Sequence, residues 1–158
     1  MVKKKISYFI GTWFGVPLRT GGYARGLITR VGEGGVLFGY FFGPKFSSLP
    51  EDIPENLRPK DRVLYGKFGH LGLINGEWEI IGVDPNWKIE DWPMPKMVRV
   101  DEHTGIAFMS QYDDATLNFI SEIRCDPGLV DSHPYDRLMG YGAVEIRLTK
   151  LIDGTEPG

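Results

Sequence analysis

Apolar and polar positions alternate along several short stretches of the chain, and clusters of Gly, Pro, Asn and Asp separate them. Alternation at period two marks a strand with one buried face. Ile6 to Trp13 is predicted as a first strand, bent at Gly11 and ended by Pro17 and Gly21-Gly22. Tyr23 to Val31 and Val36 to Phe42 form two further strands around the turn Gly32-Glu33-Gly34-Gly35, a hairpin by every local criterion. Arg62 to Gly76 returns to apolar content and ends in Asn75-Gly76, the strongest hairpin turn signal in the chain. Glu77 to Gly82 is then the returning strand, with Glu outward and Trp78 and Ile inward. Met97 to Val100 and Ile106 to Tyr112 flank the turn 101–105 and predict another hairpin.

Between these stretches the pattern breaks. Gly43 to Lys60 holds four prolines and reads as a long loop with a helical turn over Glu51 to Leu57. Asp84 to Pro95 is irregular, rich in Pro and Trp, and Asp126 to Gly142 is a second loop-like stretch. Leu117, Phe119, Ile120 and Ile123 fit a short helix and a strand equally. In Ala143 to Ile152, period two is met by Val144, Ile146 and Leu148, and period 3.6 by Val144, Leu148, Leu151 and Ile152. Residue types and the preceding Gly142 favour a terminal helix there.

These elements predict a mainly β fold with minor α (α+β): a strongly curved antiparallel sheet or small open barrel with one to three short helices. One domain is expected over residues 1–158, with short flexible ends, because both Pro-rich loops carry side chains that need burial. Composition agrees. Four Ala stand against 20 aromatics and 23 Ile plus Val, which disfavours a helix bundle. The 21 glycines suit a curved sheet with bulges. No apolar run approaches the roughly 18 residues of a membrane helix. The basic start followed by Ile6 to Ile10 mimics a signal peptide but is too short and has no small-residue cleavage site. The cytoplasm is the expected location.

Charge sharpens the picture. The net charge is −3, yet residues 1–50 carry seven Lys/Arg and one Glu, whereas 77–136 carry thirteen acids and four bases. A solvated acidic face is the common reason for such a run. The sharper reading is a surface that meets a basic partner, and it argues against nucleic-acid binding by the second half.

Reactive chemistry is sparse. His70, His103 and His133 are far apart, and the single Cys125 excludes an internal disulfide and a cysteine-based zinc site. No phosphate-binding loop, nucleophile elbow or metal motif occurs, so no cofactor, metal or catalytic residue is assigned. Glu90-Asp91, Asp101-Glu102 and Asp113-Asp114 are adjacent carboxylates, which read first as turn acids and helix caps. Arg19, Arg25, Arg30 and Lys45 interleave with Tyr23, Tyr40, Phe41, Phe42 and Phe46. A small barrel using segment 19–46 could stack single-stranded nucleic acid; the plainer expectation is aromatics in the core and bases in water. Trp78 is expected in the core, and Trp92, next to Pro93, is expected to pin its loop. Trp87 stands open between pinning the loop and anchoring a partner, since Trp is enriched at binding hot spots.

The order and spacing of several motifs resemble the bacterial toxin-immunity family called immunity protein 26. They are Phe14-Gly15-Val16-Pro17-Leu18, Gly22-Tyr23-Ala24-Arg25-Gly26-Leu27-Ile28, Gly39-Tyr40-Phe41-Phe42, Gly76-Glu77-Trp78-Glu79-Ile80-Ile81-Gly82, Trp92-Pro93-Met94-Pro95 and Gly140-Tyr141-Gly142-Ala143-Val144-Glu145-Ile146-Arg147-Leu148. The likeness spans roughly residues 6–152. It implies a non-enzymatic protein that binds the effector domain of a toxin encoded beside it, in polymorphic systems of bacterial competition. The residues themselves nominate Asp84, Trp87, Glu90 and Asp91 as partner-binding, with Asp101, Glu102, Asp113 and Asp114 as rim. The expected partner is the cognate toxin effector domain, with a basic, nuclease-like face; neither nucleic acid nor membrane is expected, and oligomeric state is left open.

Overall fold

The computed structural model describes residues 7–154. Over these residues nine strands form two sheets. The larger sheet is built from β1 (Thr12–Pro17), β2 (Tyr23–Val31), β3 (Val36–Phe46), β4 (Leu64–Gly69), β5 (Ile80–Val83) and β9 (Leu138–Met139), in the order β5-β1-β2-β3-β4-β9. The smaller is β6 (Met97–Val100), β7 (Ala107–Tyr112) and β8 (Phe119–Cys125), with β7 central. Both are open, curved sheets. Pairing is antiparallel throughout except for the two-residue contact of β9 with β4, which is parallel.

The larger sheet is buried on both faces. One face carries Phe14, Ile28, Leu37, Phe41 and Phe68, covered by Trp78 and by α2 (Tyr141–Asp153) through Val144 and Leu148. The other face carries Trp13, Leu27, Phe38, Tyr40 and Phe42, covered by Trp92, Met97 and Leu117. Hence β3 reads as nearly continuous apolar sequence: alternate side chains enter different cores.

The predicted β2–β3 and β6–β7 hairpins form as expected, and the ambiguous stretch after Leu117 is strand β8. Residues 143–152 are helical. Val144 and Leu148 stack one turn apart on the buried face, and Gly154 ends α2 in the left-handed region.

Three expectations are corrected. The first strand starts at Thr12, not Ile6; Ile6 lies outside the described residues, and Phe9 and Ile10 are exposed ahead of the turn at Gly11. No helical turn forms over Glu51 to Leu57; a 3₁₀ turn sits at Pro59–Asp61 instead. Asn75-Gly76 makes no hairpin. The chain after β4 coils into α1 (Leu71–Ile74), and Gly76, at φ +83°, ends that helix. Both structures need positive φ after a short polar residue, so the dipeptide alone cannot separate them. β5 therefore pairs with β1 rather than β4. Trp78 is buried as expected, but in the connection before β5, stacked on Phe14 with ring centres 5.4 Å apart. Its indole Nε1 donates to buried Glu145 on α2 at 2.8 Å, which also accepts from Arg19 Nε.

Candidate functional site

The irregular segment 84–95 lies over the second core. Trp92 is buried, with its ring 5.1 Å from Tyr40 and 6.0 Å from Phe42. Tyr40 Oη donates to the carbonyl of Pro93, and burial pushes that hydroxyl's pKa up to about 12, so it remains a donor. Asp84 opens the segment with an Asx turn, its Oδ1 accepting from the Asn86 N–H at 2.8 Å. A 3₁₀ turn, Ile89–Asp91, then carries Glu90 and Asp91 outward.

Arg30 fastens this segment to the larger sheet. A bulge between Ile28 and Arg30 shifts the register of β2 by one residue. The shift moves Arg30 from the face of Ile28 to that of Phe38, Trp92 and the second core. There the side chain is buried and donates to the carbonyls of Trp92 (3.0 Å) and Thr29 (2.8 Å) and to the Asp114 carboxylate. The expectation that the bases of 19–46 face water fails here. The others are engaged too: Arg19 pairs with Glu145, Lys45 with Asp153, and Arg25, its pKa lowered by burial, lies over Phe46. Of the seven cations in residues 1–50, Lys3, Lys4 and Lys5 lie outside the described residues.

Trp87 lies half-buried against Gly11, where a Cβ would sit 3.3 Å from the indole. Gly11, at φ +89°, serves both the turn and the close approach. The Trp87 indole Nε1–H is sealed from solvent with no hydrogen-bond partner among the described residues, while its backbone N–H donates to the Asp84 carbonyl at 3.2 Å. The ring is one wall of a cleft of about 280 Å³ between segments 84–92 and 54–59. Asp84, Asp91 and Glu55 line it, interleaved with Arg58 and Lys88, so its charge is mixed. Glu90 and Asp114 belong to a neighbouring hollow with Arg30 and Lys96.

The rim candidates separate. Asp113 caps the turn after β7, accepting from the N–H groups of Thr116 and Ala115, which hold its carboxyl below the usual range. Asp101 accepts from His103 N and Thr104 N at the opposite end of β7. Along that strand, at about 3.3 Å per residue, Asp101 and Glu102 stand roughly 20 Å from Asp113 and Asp114. Other acids of the run serve internal contacts: Asp136 with Lys67 and Tyr112, and Glu122 with Arg99 and Ser110. Among the described residues no three His, Cys, Asp or Glu side chains are grouped to hold a metal ion. No helix there is long and apolar enough to cross a membrane.

A family model described as Immunity protein 26 matches residues 10–105. The chain belongs to this family. The match places it among proteins that neutralise toxins, and a toxin is the partner protein that an immunity protein 26 member implies. It runs from the turn before β1 through β6 and includes every residue lining the Trp87 cleft. Asp113 and Asp114 fall beyond it. No curated protein and no solved structure matches the chain.

Proposed function

We propose that this protein binds a cognate bacterial toxin domain in the cytoplasm of the cell it protects and blocks that domain by occlusion, without turnover. The toxin face it meets is basic, as the substrate face of a nuclease is. The observation that carries this reading is the immunity-family match over residues 10–105. The contact surface we assign is the Trp87 cleft and the 3₁₀ turn beside it. Its support is an aromatic side chain half out of the core, and two outward carboxylates, Glu90 and Asp91, that accept no internal hydrogen bond among the described residues. Exposed acids steer a basic partner and raise its association rate, toward ~10⁸ M⁻¹s⁻¹ at low salt.

The test is co-expression with the product of the adjacent gene, scoring survival and co-purification. Trp87→Ala is expected to shorten the lifetime of the complex, by about tenfold or more for a hot-spot aromatic. The pair Glu90→Lys and Asp91→Lys is expected to lower the association rate. If both variants protect and bind like the parent, this loop is not the contact surface. If the parent neither protects nor co-purifies, the neutralisation reading fails for that partner.

A further inference from the structure

Beyond the Trp87 cleft, the chain runs through the 3₁₀ turn Pro59–Asp61 into a second, larger groove of about 520 Å³. Three segments distant in sequence build it: residues 60–65 entering β4, residues 130–139 leading into β9, and the outer face of α2 at Arg147 and Leu151. Lys60, Arg62, Arg137 and Arg147 line it against one acid, Asp131. That is a local charge opposite in sign to the net −3 of the chain.

None of these four cations makes a salt bridge among the described residues, whereas Arg19, Arg30, Lys45, Lys67 and Arg99 all do. The Arg62 guanidinium lies 3.9 Å from the centre of the Tyr65 ring and donates through Nη1 to the carbonyl of Pro59 at 3.0 Å. Arg137 lies 5.2 Å from the centre of the Tyr135 ring. A guanidinium held on an aromatic face is oriented in advance while its N–H fork stays available to an oxyanion. Four like charges gathered against a single acid, Asp131, repel one another, and an anionic ligand relieves that repulsion.

The lining between the cations selects the ligand. Apart from His133 it is apolar, made mainly by Val63, Leu64, Val130, Met139 and Leu151. Both tyrosines already carry an arginine, and their hydroxyls donate to the carbonyls of Ser132 and Val100. They hold cations in place rather than offer open faces to stacked bases, which a nucleic-acid strand needs. An aliphatic floor under a cationic rim complements a chain that presents apolar side chains between carboxylates.

We propose that this groove is a docking site for an acidic peptide segment of a protein partner, with carboxylates bracketing apolar side chains. The site is separate from the Trp87 cleft and does not depend on what that cleft binds. The test is fluorescence anisotropy with a short labelled peptide alternating Glu and Leu, titrated with the full chain. Saturable binding that weakens with salt is expected, with loss of about tenfold or more in the Arg62→Glu, Arg147→Glu double variant. The same peptide with Gln for Glu is expected not to bind. Arg137→Glu, an exposed position, repeats the test if the double variant unfolds. The proposal is overturned if the peptide fails to bind the parent, if the folded variants bind it equally, or if the Gln peptide binds as well. Tight binding of oligothymidylate in place of the peptide also overturns it, in favour of nucleic acid.

Discussion

The Trp87 cleft and the basic groove lie on either side of residues 54–62, yet they are built in opposite ways. The cleft's distinctive residues come from one short loop, 84–92, and its charges are mixed. The groove takes its cations from positions 60, 62, 137 and 147, and they are nearly all of one sign. A dense charged run in sequence therefore makes a poor guide to a charged surface here. Seven of the thirteen acids of 77–136 are engaged in turns, caps and ion pairs. The groove's cations come from three stretches of the chain, 60–62, 137 and 147, that only folding brings together.

Each site also rests on a buried charged side chain, Arg30 beneath the cleft loop and Asp136 beside the groove, and breaking their contacts separates the two. The largest effect is expected from Arg30→Met. It removes donors from two buried carbonyls, at about 1–3 kcal/mol each, and frees the loop that forms the cleft. Thermal unfolding should show the destabilisation. Binding of the Glu-Leu peptide at the groove should persist wherever the variant stays folded.

A smaller effect is expected from Asp136→Asn, which loosens the groove instead. Asp136 accepts from Tyr112 Oη at 2.7 Å and pairs with Lys67 at 2.9 Å, fixing the chain between Tyr135 and Arg137. Burial raises its pKa, but the hydrogen bonds from Tyr112 and Lys67 outweigh burial and leave it below the usual value. The loss on substitution should be about 1–3 kcal/mol at neutral pH. A depressed carboxyl stabilises the fold above its unfolded value near 4 and loses that contribution as pH falls through its lower folded value. The gap in stability between parent and variant should therefore close in acid, below about pH 4. Chemical denaturation at stepped pH measures it; a gap that stays constant down to pH 2 would contradict the assignment.

The smallest effect is expected from Glu102→Lys. It reverses an exposed charge at the far end of β7 from Asp113 and Asp114, with no hydrogen bond to lose among the described residues, so stability should change by less than about 0.5 kcal/mol. Toxin association should hardly change, in contrast to Asp91→Lys. Equal slowing by the two, in stopped-flow at low salt, would mean that the whole acidic run acts as one field and not as a local surface.

Much of the fold was legible in the sequence because it is local. The β2–β3 and β6–β7 hairpins each join adjacent strands across a short turn, and for α2, where the spacing fitted both periods, residue types and Gly142 tipped the reading to a helix. The family was legible for a related reason: its motifs are packing and turn residues whose order the chain preserves. Asn75-Gly76 misled because one dihedral requirement serves a helix end as well as a hairpin. Trp92 was legible as a loop pin. Trp87 could be nominated but not placed, because its position depends on Gly11, far away in the chain.

The sequence by itself determined the strand-rich class, the β2–β3 and β6–β7 hairpins and the scarcity of reactive side chains, all consequences of period, turn chemistry and composition; folding decided that 143–152 is a helix and that Asn75-Gly76 is not a hairpin. Tertiary structure alone decided which charges are free. A one-residue bulge turned Arg30 into the core, Lys67 and Tyr112 claimed Asp136, and folding gathered cations from three stretches of the chain into one groove. Charge pairing acts over a few ångströms of space, and separation along the chain does not fix that distance.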